Sequence, residues 1–185
     1  MSEWFDKAGD HTDDVIARVV ERLRGGDIGH VVVATTSGKT GVRFVEALRD
    51  VQVEVVCVTH HVGFQRGDEN QLEAEHARAI REAGGAVLTA SHALSGIGRS
   101  LSKAFGGTTP VEIIAHTLRL FGQGMKVCVE CAVMAADAGM IPTDRDVLCV
   151  GGTGRAADTA VVLRPSHANR FFEMRIRETL CRPIG

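Results

Sequence analysis

The chain has no tyrosine, one tryptophan near its start and four prolines in 185 residues. A planar ligand clamped between Tyr and Trp side chains is therefore excluded, and a bound ring would lie on aliphatic and glycine surfaces instead. An excess of one charge is missing as well. The 21 Lys and Arg against 23 Asp and Glu give a net charge of −2, and the basic residues are scattered rather than blocked. That removes the electrostatic footprint of a nucleic-acid binder. No apolar run approaches the roughly 20 residues of a membrane span. The opening MSEWFDKAGDHTDD is too acidic and polar for a signal peptide. Five cysteines, an odd count, fall largely inside apolar runs, where they read as small buried hydrophobes rather than a disulfide framework. The expected compartment is reduced and cytoplasmic.

What is present is an ordinary globular balance, 44% hydrophobic and 24% charged, in a length suited to one domain over residues 1–185. Thr12 or Asp13 can cap a first helix that runs to about Arg24 with Val15, Ile16, Val19, Val20 and Leu23 on one face. HVVVAT from His30 is β-branched without polar alternation and reads as a fully buried strand. A helix from about Thr40 to Leu48 follows, then a second strand, Val53 to His60. EAEHARAIREAGG is a surface helix closed by Gly84-Gly85, and AVLTA is a third strand. Three helices are expected near Gly96 to Ala104, Pro110 to Phe121 and Gln123 to Ala138. DVLCVGG and DTAVVLRP then form strands four and five, and the alternating tail FFEMRIRETLCRP suits an edge strand. This alternation predicts a three-layer α/β/α domain with a mostly parallel sheet. The last connection is too short for a crossover, so the fifth strand should run antiparallel.

Two glycine turns stand out. Thr35-Thr36-Ser37-Gly38-Lys39-Thr40 lies where a buried strand turns into a helix, and orphan N–H groups and the helix dipole favour an anion there. Gly38 would allow close approach, Thr36, Ser37 and Thr40 would donate hydroxyls, and Lys39 would add charge. Gly38-Lys39-Thr40 matches the end of a Walker A loop, but the first glycine of that motif falls on Val33, inside the strand, which excludes an ATPase. The hexad is more similar to the Thr-x-Thr-Gly-x-Thr loop with which flavodoxins hold the phosphate of FMN. The alternative is a helix start that binds nothing. Gly151-Gly152-Thr153-Gly154-Arg155, continuing to Asp158, holds a G-x-G-x-x-A after a strand. A dinucleotide site needs a helix next, whereas a strand follows, so the alternative is a tight glycine turn. In a sheet of order 3-2-1-4-5 the loops after strands one and four face each other across the crevice where ligands bind.

VVVATTSGKTG, KVCVECAVMAADAGMIP and GGTGRAADTAVVLRP together resemble a stand-alone, chiefly archaeal family of pyruvate kinase C-terminal-domain-like proteins, over nearly the full length. The resemblance implies an α/β/α fold with sheet order 32145 and an association with bound FMN. It supplies no reaction. A catalytic barrel is lacking, so kinase activity is not carried over. Homo-oligomers are compatible with the way related domains assemble, but no interface is legible.

Four further features compete with plainer explanations. Cys128-x-x-Cys131 falls inside a helix and is expected to be a pair of core neighbours rather than a redox or zinc centre. Lys126 and Glu130, at i and i+4, form either a partly exposed structural ion pair or a cavity floor in which Glu130 meets the ligand. Thr59, His60 and His61 after strand two, and Ser91 and His92 after strand three, belong to the ligand-binding edge and permit proton transfer without demonstrating it. HHVGFQRGDENQ is a long polar loop able to cover a ligand, with Phe64 placed to shield a flavin ring. Two functions follow. One is a protein that holds a small phosphorylated ligand, FMN first among them, as a flavin-dependent oxidoreductase of unnamed substrate. The other is a non-catalytic sensor for a phosphorylated metabolite. In either case no nucleic acid, membrane or metal is expected.

Overall fold

A computed structural model describes residues 3–65, 67–154 and 156–184. The strands are β1 (Glu3–Phe5), β2 (His30–Ala34), β3 (Glu54–Thr59), β4 (Ala86–Thr89), β5 (Val147–Gly151), β6 (Thr159–Arg164) and β7 (Arg175–Pro183). The helices are α1 (Thr12–Leu23), α2 (Lys39–Ala47), α3 (Ala74–Glu82), α4 (Gly96–Phe105), α5 (Pro110–Arg119) and α6 (Gln123–Asp137), with a 3-10 segment at Ala168–Glu173.

All seven strands join one sheet, in the order β1-β7-β6-β5-β2-β3-β4. Pairing is parallel for β1/β7, β2/β3, β2/β5 and β3/β4, and antiparallel for β5/β6 and β6/β7. The expected order 32145 is thereby corrected: the sheet carries two further strands on the β6 side. The tail is an edge strand over residues 175–180 among the described residues, and β1 pairs with its outer side only over Cys181 to Pro183. Its first residues, Phe171 to Glu173, belong to the 3-10 segment rather than to a strand. β1 is three residues long, too short to display any periodicity in the sequence.

The period-2 geometry of β2 divides the core. Val31 and Val33 pack with Val15 and Val19 of α1, Phe44 of α2 and Ile80 of α3. Val32 points the other way, into a cluster with Cys128, Cys131 and Ala135 of α6. Both faces of β2 are buried, which is why its sequence shows no alternation. α6 lies flat on the sheet with twelve of its fifteen residues buried. α5 packs on its outer side through Ala115 against Val129, and starts with a capping box between Thr109 and Glu112. α4, outside both, buries no residue at all.

The start of α1 differs from expectation. His11 occupies the N-cap without a side-chain bond, and Thr12 is already helical. Asp10 does the capping: its Oδ1 accepts from the Thr12 N–H at 3.1 Å and the Thr12 hydroxyl at 2.6 Å. The Thr12 oxygen in turn accepts from the Ala157 N–H at 3.2 Å, so α1 is tied to the β5–β6 turn.

Candidate functional site

β2 and β5 are parallel neighbours, and the chain leaves them in different ways. β2 feeds α2, whereas β5 turns back into antiparallel β6. Their carboxyl ends bound a cavity of about 130 Å³. Ala34, Thr35, Thr36 and Thr40 line one side, and Gly152, Gly154 and Ala156 line another. Val58, Thr59, His60 and His92 come from the ends of β3 and β4, and α6 closes the cavity with Gln123, Val127, Glu130, Cys131 and Met134. These α6 positions form one helical face. Of these only Glu130 is expected from the sequence as a ligand contact; the spacing i, i+4, i+7, i+8, i+11 is the signal for the others.

The hydroxyls of the first turn have separate duties. Thr35 Oγ1 accepts from the Gly41 N–H at 3.3 Å and so caps α2 from outside the N-cap position. The Thr59 hydroxyl donates to the Thr36 carbonyl at 2.9 Å, locking the ends of β2 and β3 together. Thr40, in the first turn of α2, is buried and lines the cavity with no hydrogen-bond partner for its hydroxyl among the described residues. Ser37 faces elsewhere: its carbonyl accepts from the Glu73 N–H at 3.1 Å and from His76 Nδ1 at 2.9 Å. Gly38 has φ +101°, and a Cβ there would run into His76 and Leu72. Its glycine serves the packing of α3. Lys39 is exposed, and neither Ser37, Gly38 nor Lys39 lines the cavity.

The β5–β6 turn has a similar division. A Cβ on Gly151 would meet Cys128 Sγ at 3.0 Å, so this residue lets α6 lie close on β5. A Cβ on Gly152 would collide with the Ala156 carbonyl, and Gly154 adopts φ +80°. Asp158 is fully buried and accepts from the Thr153 N–H at 3.1 Å and the Thr159 hydroxyl at 2.7 Å. Asp158 therefore staples the turn and does not line the cavity; Gly151 and Thr153 do not line it either. Arg155 lies outside the described residues.

Lys126 and Glu130 are 4% and 5% exposed, so the pair is buried rather than partly exposed. Lys126 Nζ bonds Glu130 Oε2, and Oε1 accepts from the Leu94 N–H at 2.8 Å and the Ser95 hydroxyl at 3.4 Å. Both carboxylate oxygens are occupied, which anchors the β4–α4 connection to α6. The thiols on this helix are silent. Burial pushes Cys131 up to about 12, and Cys128 is raised as well, chiefly by burial with nearby cysteines adding to it. Cys128 Sγ donates to the Cys149 carbonyl at 3.4 Å. No thiolate is available near neutral pH, in agreement with a packing role.

An aromatic rim closes the outer end. His60 stacks on Phe64 with centroids 4.0 Å apart, and its Nδ1 donates to Gln71 Oε1 at 2.6 Å. His92 lies 5.2 Å from the rings of both His60 and His61 and 5.0 Å from Phe64. Its pKa is lowered to about 4, first by burial, with Glu130 opposing and His60, Lys126 and His61 reinforcing the shift. His92 is therefore neutral at pH 7. Ser91 lies outside the cavity, in a neighbouring groove that it shares with His61 and His92.

Two helix N-termini, those of α2 and α6, meet at the cavity. Their N-cap residues are glycines without side-chain caps, and neither first turn contains an acidic residue. Such ends attract anions. Among the described residues no helix is long and apolar enough to cross a membrane.

The family model described as pyruvate kinase, alpha/beta domain, matches residues 13–163. Among solved structures, O-ureido-L-serine synthase matches at 18% identity and a TM-score of 0.34, over 70% of this chain and 48% of that one. A mutant of the same enzyme with bound O-ureido-L-serine gives 17%, 0.33, 72% and 49%. The chain thus spans about half the length of these proteins.

Proposed function

This chain belongs to the pyruvate kinase alpha/beta domain family, and from that premise we propose that the cavity between β2, β5 and α6 binds the phosphoryl end of a small ligand. One observation carries the reading. The N-termini of α2 and α6, whose N-cap glycines supply no side-chain cap, converge on a cavity into which Thr40 brings a hydroxyl unpartnered among the described residues. A phosphate there would accept from Thr40 and from backbone N–H groups of the first helical turn.

The volume bears on the identity of the ligand. About 130 Å³ falls below the roughly 300–1,000 Å³ that encloses a whole small-molecule ligand. The cavity therefore takes a phosphate and its first neighbours and leaves the remainder outside. FMN is one candidate, with its ring beyond the aromatic rim. Glu130, whose two oxygens are both engaged, is not free to act on a ligand, which favours a sensor for a phosphorylated metabolite over a flavin-dependent oxidoreductase.

Calorimetric titration with inorganic phosphate and with FMN tests the reading. Thr40→Val should weaken phosphate by about 1.5–3 kcal/mol, the value of a hydrogen bond to a charged partner. Ser37→Ala should leave it unchanged. Equal affinity of Thr40→Val and wild type, with the fold intact, would make the α2 start a plain helix end. A flavin absorption spectrum that survives gel filtration would select FMN, and a colourless protein not stabilised by added FMN would select the sensor.

A further inference from the structure

A second cavity adjoins the first. It lies between the β4–α4 connection and α5, has a volume of about 530 Å³, and shares His92 with the phosphate cavity. Its character is different. Ala93, Gly96, Ile97, Gly98 and Val111 contribute to its lining beside Ser95. Ile97 is 81% exposed and Val111 36%, so among the described residues these two apolar side chains are left uncovered. The two cavities are complementary in size and chemistry, with one small and rich in hydroxyls at two helix ends, the other larger and apolar. The larger falls in the range that holds a ring or a short hydrocarbon group.

We propose that the two cavities are halves of one site, and that its ligand is a phosphate monoester whose apolar group reaches past His92 to lie against Ile97 and Val111. The inference rests on the phosphate reading above and extends it to the class of ligand: an ester with an apolar end on a spacer of a few atoms, in preference to a free phosphate or a compact sugar phosphate. His92 suits the dividing position. Uncharged at neutral pH, it presents an imidazole ring that an apolar spacer can cross without desolvating a cation. Ser95, whose hydroxyl bonds Glu130, and Leu94, whose N–H bonds the same carboxylate, hold the wall between the cavities in place from the α6 side.

Titration of the full chain with inorganic phosphate, phenyl phosphate, 4-phenylbutyl phosphate and 4-phenylbutanol tests this. The phenylbutyl ester should bind wild type at least about tenfold more tightly than inorganic phosphate, since burying only a few methylene equivalents gives that factor. Phenyl phosphate, too short to pass His92, should gain little. Ile97→Asp, at an exposed position where folding is not at risk, should return the phenylbutyl ester to the affinity of phosphate and leave phosphate itself unaffected. Val111→Asp should do the same. Equal binding of phosphate and the phenylbutyl ester by wild type would overturn the proposal, as would an unchanged ester affinity in Ile97→Asp. If Ile97→Asp instead dissociates an oligomer in sedimentation velocity while ester affinity holds, the groove is an interface between copies and the proposal is wrong. Failure of the underlying phosphate reading looks different: neither phosphate nor either ester binds more tightly than phenylbutanol.

Discussion

Replacing Lys126 by methionine isolates the energetics of the buried pair. In the wild type the ammonium and carboxylate are both nearly sealed from water, and Glu130 has its remaining oxygen satisfied by Leu94 and Ser95. Methionine preserves most of the side-chain volume, so packing changes little. What is lost is the counter-charge. The carboxylate is left with one main-chain N–H and one hydroxyl in a site of low polarity. Removing one partner of such a pair costs about 3–5 kcal/mol, because the other charge stays desolvated. Glu130→Gln should cost a comparable amount, since it strands the ammonium. Lys126→Met/Glu130→Gln together removes both charges, and the double variant should be more stable than the sum of the single losses predicts by at least about 2 kcal/mol. Urea denaturation at pH 7, followed by far-UV circular dichroism, gives each value. A loss under about 1 kcal/mol for Lys126→Met, or additive single effects, would refute the buried pair and place these side chains in water.

Gly152→Ala and Gly154→Ala should differ in urea melts. The first forces a methyl against the Ala156 carbonyl and should cost about 2–3 kcal/mol, the second only the roughly 1 kcal/mol of a left-handed backbone at φ +80°; the reverse order would show that the turn is built differently. His92 couples stability to pH. Its folded pKa of about 4 lies below the unfolded value of 6.5, so between these limits the unfolded chain binds more protons and stability rises with pH, levelling above 6.5. His92→Gln should flatten that rise, and a difference between the two stability profiles that does not vary with pH would show that His92 is exposed.

Strand ends were readable because a β-branched run that stops at a glycine turn marks the carboxyl edge of a buried strand, and Thr36, Thr40, Gly152 and Gly154 line the cavity from such ends, joined by His60 and His92 beyond β3 and β4. Which residues of a turn look inward was not readable. Ser37, Gly38 and Lys39 are adjacent to Thr40, but turns have no period, and the approach of Leu72, just before α3, and His76 of α3 decides their direction. Asp158 was legible as a polar residue beside a glycine loop, but not as a fully buried staple for Thr153, because that depends on how the turn folds back on itself. α4 was legible as a helix near Gly96 to Ala104, yet nothing in the local pattern signals that none of its residues is buried. The seventh strand position, held by three-residue β1, is fixed by pairing with residues at the far end of the chain, a contact invisible to local pattern.

The pairing of β2 with β5 has a kinetic consequence. β5 and β6 are joined by a short hairpin, a local contact that closes quickly. β2 meets β5 only by bringing Val31 beside Leu148, with α2 to α6 and two strands of chain between them. Loop closure makes such non-local pairings slow. The cavity lies on that seam, so it comes into existence only when the sheet has joined across its middle. A ligand that binds there stabilises the completed sheet and nothing that precedes it, and should slow unfolding rather than hasten folding. Occupancy of this cavity is in that sense a report that the last long-range closure has been made.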